Sequence, residues 1–172
     1  NYSIRIVLCF LLLIPYFLEP FSVMAATNNS KATSAGGLIG FTSDNKLVLA
    51  RMTANEAIRK GIRDAVDFGP FLIVNGKSSF INGNGGWGQA PRTAIGQRED
   101  GIVLLLVIDG RQTGSIGADM NDLTRVMLDY GAINAANLDG GTSSAMSLNG
   151  KIISNPRNGN FQAKTRPVPN AW

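Results

Sequence analysis

Apolar and polar positions are grouped unevenly along the chain, and each grouping predicts an element. Residues 38–41 and 47–50 are short apolar runs on either side of Ser43-Asp44-Asn45, which predicts two strands joined by a turn. Thr53-Ala54-Asn55-Glu56 puts a hydroxyl three residues before a carboxylate, the spacing of a capping box. Ala57, Ile58, Ile62, Ala65 and Val66 then recur with a helical period, so a helix is expected to about Asp64. Gly69-Pro70 punctuates, residues 71–74 are an apolar strand, and Asn75-Gly76 is a hairpin signal. Residues 82–91 form a glycine-rich loop around Trp87.

Residues 92–97 pair naturally with 102–108 across Asp100-Gly101. The second of these runs is apolar on both faces, the mark of a central strand. Asp119 is placed to cap a helix over 120–130, with Leu123, Val126, Met127 and Tyr130 as its buried stripe and Gly131 as its stop. A strand at 133–138 and a hairpin of 144–148 with 151–154 follow. Strands interleaved with two main helices predict an α/β (mixed α+β) fold, a mixed sheet in a single domain over 38–172. Strand 102–108, the helix and strand 133–138 read as one crossover unit with its two strands as parallel neighbours.

The N-terminal pattern is different. Arg5 precedes an apolar run over 6–14, Pro15, Glu19 and Pro20 interrupt it, and small residues follow at 22–26. Residues 1–26 are therefore read as a signal peptide or membrane anchor, and the polar stretch 27–37 as a linker. That reading implies a secreted or cell-envelope protein, touching a membrane only through this segment if it stays uncleaved.

Composition narrows the chemistry. The chain has no histidine, which excludes His-based triads and His-ligated metals. Its one cysteine, Cys9, excludes an internal disulfide and a Cys-based zinc site. The basic residues are scattered, so a net charge of +4 does not point to nucleic acid. Acid–base work falls to Asp, Glu, Lys or Tyr.

The polar residues gather at strand ends. Pro91-Arg92-Thr93 opens one strand, Asp109-Gly110-Arg111 follows a second, and Asp139-Gly140-Gly141-Thr142-Ser143-Ser144 follows a third. If the three ends share a sheet edge, two carboxylates, two guanidiniums and several hydroxyls meet there. Arg binds phosphate or carboxylate oxygens in a fork, and glycines let backbone N–H groups approach an anion. Paired carboxyls can divide acid and base roles, as in glycosidic cleavage. Turn chemistry alone would also place Asp-Gly at these positions.

The segments PRTAIGQREDGIVLLLVIDGRQ (91–112) and GAINAANLDGGTSSAMSLNGKIISNP (131–156), with DFGPFLIVNGK (67–77), resemble the phosphodiester glycosidase family, which includes bacterial exopolysaccharide-related homologues. The resemblance runs from about Leu38 to Val168. It implies hydrolysis of a sugar-1-phosphodiester. By motif it carries Asp109 and Asp139 over as the catalytic carboxylates, and Arg92, Thr93, Arg111, Gly140, Gly141, Ser143 and Ser144 as substrate-binding residues. No metal ligand is implied; oxygen ligands are plentiful enough for a divalent cation, but nothing specifies one. The family pattern has a third glycine where Thr142 stands and often threonine where Ala145 stands. It also carries a further subdomain ahead of the part matching Leu38, so this stretch is expected to be the C-terminal part of a fuller domain. A non-catalytic glycan- or polyanion-binding module of the cell envelope and an inactive fragment are the competing readings.

Overall fold

The computed structural model describes the strand Ile4–Cys9 and residues 36–79, 83, 87–169 and 171. Its strands, in chain order, are β1 (Ile4–Cys9), β2 (Gly37–Thr42), β3 (Leu47–Ala50), β4 (Ile62–Phe68), β5 (Phe71–Val74), β6 (Lys77–Ser78), β7 (Arg92–Arg98), β8 (Val103–Ile108), β9 (Ala132–Leu138), β10 (Ser147–Leu148) and β11 (Lys151–Ile152). The helices are α1 (Ala54–Arg59) and α2 (Met120–Asp129). Six strands form the main sheet in the order β1-β8-β7-β9-β5-β6, three form a small sheet β3-β2-β4, and β10 pairs with β11.

Period-two alternation splits the core into two layers around the main sheet. Ala94, Leu104, Leu106, Ile108 and Ala135 point to one face and pack with Met120, Leu123 and Met127 of α2. Ile95, Val103 and Ala136 point to the other and pack with Ile39, Phe41 and Leu47 of the small sheet. Covered on both faces, β8 is apolar throughout, as its sequence predicts. Leu123 is 0% exposed at the α2–sheet interface. Leu123→Ala is expected to cost about 2–5 kcal/mol, read from urea midpoints.

Both helix starts follow their sequence signals. The Thr53 hydroxyl accepts from Glu56 N while the Glu56 carboxylate accepts from Thr53 N, and Asp119 and Asp122 repeat the exchange at α2. The hydrogen bonds from Thr53 hold the Glu56 carboxyl below the usual carboxylate range.

Three expectations are corrected. The first helix stops at Arg59, not near Asp64, because Gly61 takes a left-handed φ of 71° and frees Ile62, Ala65 and Val66 to form β4 against β2. Strands β8 and β9 are not neighbours: β7 lies between them and is antiparallel to both, so they run the same way one strand apart. Tyr130, expected in the buried stripe, is 44% exposed as the C-cap residue of α2. The leader and linker readings fall mostly outside the described residues; within them, Ile4–Cys9 pairs antiparallel with the free edge of β8. Among the described residues no helix is long and apolar enough to cross a membrane.

Candidate functional site

The sheet register brings the predicted strand ends together. Arg92 lies opposite Ile108, the residue before Asp109, and Thr93 lies opposite Leu138, the residue before Asp139. The start of β7 and the ends of β8 and β9 therefore form one edge. The insertion of β7 between β8 and β9 preserves this, because an antiparallel strand between two parallel ones begins where they finish.

Close backbone contacts lock the three loops. Gly141 N donates to the Pro91 carbonyl at 2.7 Å. A Cβ on Gly140 would stand 3.0 Å from that same carbonyl oxygen. A Cβ on Gly110 would stand 2.8 Å from Pro91 N. Residues 141–143 then form a single 3-10 turn that presents the hydroxyls of Thr142 and Ser143, while Ser144 follows it as a buried C-cap.

The two carboxylates have different surroundings. Asp139 accepts from Ser143 Oγ at 2.8 Å and from Nη2 of Arg166, and its side chain is 43% exposed. Asp109 is buried, its Oδ1 accepts from Asn155 N at 2.9 Å, and its carbonyl accepts from Ser115 Oγ.

The two arginines differ as well. Alternation sends Arg92 to the α2 face, with Ala94, and Thr93 to the opposite face, with Ile95. On its face, Arg92 donates from Nε to the Ala118 carbonyl at 2.9 Å and from Nη2 to the carbonyls of Trp87 and Gly88. Its Cζ also stands 5.8 Å from the Trp87 ring centroid. It is a buried clamp that joins the start of β7 to two loop segments, at 87–88 and at 118. Burial lowers its pKa, with Asp119 opposing that and the charge of Arg111 adding to it; an arginine so placed stays protonated. Thr93 on the other face donates to Ser144 Oγ at 3.1 Å.

Arg111 stands at the hydroxyl loop. It takes a left-handed φ of 56°, and Nη1 donates to Thr142 Oγ1 at 3.3 Å and the Arg157 carbonyl at 3.4 Å. A Cβ at Gly141 would lie 3.2 Å from its Nη2, a tight contact that a small shift of the guanidinium would relieve; the left-handed φ of 61° is what calls for glycine there. Its Nε and Nη2 donate to nothing among the described residues. Such a fork beside a loop of hydroxyls suits an oxyanion.

Sequence reasoning missed Arg166. It comes from the C-terminal tail, 27 residues beyond Asp139, and its Nε donates to Ser143 Oγ. No apolar period surrounds Thr165-Arg166-Pro167, so nothing local ties that tail to the sheet edge. Asn155, whose backbone holds Asp109, was missed for the same reason. Among the described residues no three acidic or thiol groups converge as metal ligands.

Comparison with known proteins follows this geometry. Residues 21–172 match the profile of a family described as phosphodiester glycosidase. The SPbeta prophage-derived uncharacterized protein YomE of Bacillus subtilis (strain 168) is 37% identical over 110 residues, which is 62% of this chain and 17% of that protein. The N-acetylglucosamine-1-phosphodiester α-N-acetylglucosaminidase of Bos taurus is 40% identical over 65 residues, 38% of this chain and 12% of the enzyme. The chain thus spans a small part of the length of these curated relatives. In structure, it superposes on the catalytic domain of the zebrafish N-acetylglucosamine-1-phosphodiester α-N-acetylglucosaminidase with a TM-score of 0.63. That match covers 78% of this chain and 49% of the other at 22% identity, and it establishes a shared fold with mixed helices and antiparallel sheets.

Proposed function

The chain belongs to the phosphodiester glycosidase family, and on that premise we propose that it contributes to hydrolysis of a sugar-1-phosphodiester in an exported or cell-surface glycan. Water adds to the anomeric carbon, the bond from that carbon to the phosphate oxygen breaks, and a free sugar and a phosphomonoester leave. The observation that carries this reading is the Arg111 guanidinium set against Gly141 and Thr142, in the same loop that holds the half-exposed Asp139.

In this reading Arg111 and the backbone at Gly140 receive the phosphate, while Gly141 N and the Ser143 hydroxyl, committed to the Pro91 carbonyl and to Asp139, and buried Ser144 hold the loop in shape. Charge on the departing oxygens is met by fixed donors, which suits a leaving group that needs little protonation. Asp139 acts at the anomeric carbon, as nucleophile or base. Its hydrogen bond from Ser143 and ion pair with Arg166 fix the carboxylate's orientation. Asp109, buried and held by Asn155 N, supports the Arg111 turn from behind. Arg92 positions the loops rather than the phosphate, and Thr93 orients Ser144.

The bond cleaved is the decisive measurement. Hydrolysis of a sugar-1-phosphodiester in ¹⁸O-labelled water is expected to put the label in the sugar. Label in the phosphomonoester would mean attack at phosphorus and overturn the reading. The competing reading, a non-catalytic binder, draws on Arg166, which pairs with the very carboxylate the reaction requires. It predicts sugar-phosphate binding with no product.

A further inference from the structure

Beside the Asp139 loop lies a second feature whose lining, Arg111 apart, has no role in the proposed reaction. A cavity of about 680 Å³ is lined by Gln89, Arg111, Gln112, Ile116, Arg157 and Phe161, among others. Arg111 therefore borders both the hydroxyl loop and this cavity. Neither Arg111 nor Arg157 pairs with a carboxylate among the described residues. Arg157 Nη1 donates to the Phe161 carbonyl at 3.0 Å, and among the described residues Nη2 makes no hydrogen bond and the buried Nε has no partner. A buried donor left unpaired is costly, and two uncompensated guanidiniums on one hollow attract anions.

The apolar rim is unusual too. Phe161 is 66% exposed and sits at a φ of 62°, a conformation that large side chains adopt at a cost. Asn158 enforces it: the Asn158 carboxamide oxygen accepts from the backbone N–H of Asn160 and Gln162, and its carbonyl accepts from Phe161 N. Ile116, also 66% exposed, stands on the same cavity. An aromatic face held in water beside amides and cations is suited to a sugar ring with an anionic substituent. Strain maintained to expose an apolar ring points to a ligand rather than to packing.

We propose that this cavity is a leaving-group subsite for a sugar residue carrying a second phosphate, with Phe161 against the ring and Arg157 on the second phosphate. The proposal rests on the reading of Arg111 as holder of the first phosphate. It makes the favoured substrate a glycan phosphorylated on both sides of the leaving-group sugar. The probes are hexose 6-phosphate, with one phosphate, and hexose 1,6-bisphosphate, titrated calorimetrically into the full chain. The bisphosphate is expected to bind about tenfold more tightly, the effect of one additional charge-assisted contact. Arg157→Gln is expected to bring the two affinities within about twofold, and Phe161→Ala to weaken both. Equal affinities in the unsubstituted chain overturn the proposal whatever the variants do, and so does a preference retained by folded Arg157→Gln. Hydrolysis with no bisphosphate preference removes the subsite alone. A preference without hydrolysis removes the enzymatic reading, and the leaving-group role with it, and leaves a bisphosphate-binding site.

Discussion

Asp139→Asn is expected to lower turnover of a sugar-1-phosphodiester by about 10²–10⁴-fold, the range for loss of a positioned acid–base group. The substitution is conservative in shape. The Asn carbonyl oxygen can still accept from Ser143 Oγ and Arg166, so the loop keeps its hydrogen bonds. Only charge and basicity are lost. Because the carboxylate is 43% exposed and its ion pair lies at the surface, the stability cost should stay within about 1 kcal/mol. Steady-state kinetics beside a thermal melt separates the two effects. A folded Asp139→Asn chain with undiminished turnover would refute the assignment of this carboxylate.

Gly117→Ala should produce a large loss of stability, about 3 kcal/mol or more. Gly117 has a φ of 111°, and an added Cβ would lie 2.4 Å from both the carbonyl carbon and oxygen of Ala90. Neither atom can move freely. Ala90 exchanges two backbone hydrogen bonds with Ala118, and the Ala118 carbonyl also accepts from Arg92 Nε. The methyl group would therefore pry apart the bridge that seats the Arg92 clamp. Gly114→Ala is the matched control: its φ is 87°, but nothing lies within 4 Å of the added atom. It should cost about 1 kcal/mol, from backbone conformation alone. Equal denaturant midpoints for the two variants would show that the Ala90 contact is immaterial.

Local signals carried much of the fold. The capping residues Thr53 and Asp119, the stop at Gly131 and the doubly apolar β8 were all legible, since each depends on a few adjacent residues. The first helix was read too long because Ile62, Ala65 and Val66 satisfy a helical spacing and a strand equally well. Gly61 is the residue that decides between them. Strand order was not legible: two strands of like direction can be adjacent or separated by a third, and no local pattern distinguishes these. The gathering of strand ends at one edge survived that error, since it depends on direction rather than adjacency.

The segments that meet at the candidate site were legible in the sequence; the hydrogen-bond partners of each side chain were less so. Arg92 and Thr93 are neighbours in sequence, yet a strand turns them to opposite faces, where Arg92 meets backbone carbonyls and Thr93 meets Ser144. Arg166 and Asn155 come from irregular chain whose path is fixed by tertiary contacts alone.

The position of β7 between β8 and β9 also bears on how the molecule comes into being. One ladder closes across a tight turn at Asp100-Gly101, whereas the other joins Thr93 to Leu138 only after the whole intervening chain, α2 included, has been looped out. Closing so long a loop is entropically slow, so the hairpin can exist well before the second ladder does. The loops carrying Asp139 and Arg111 are therefore expected to come together only once the second ladder has closed, and a chain arrested at the hairpin would carry every motif without the edge they share.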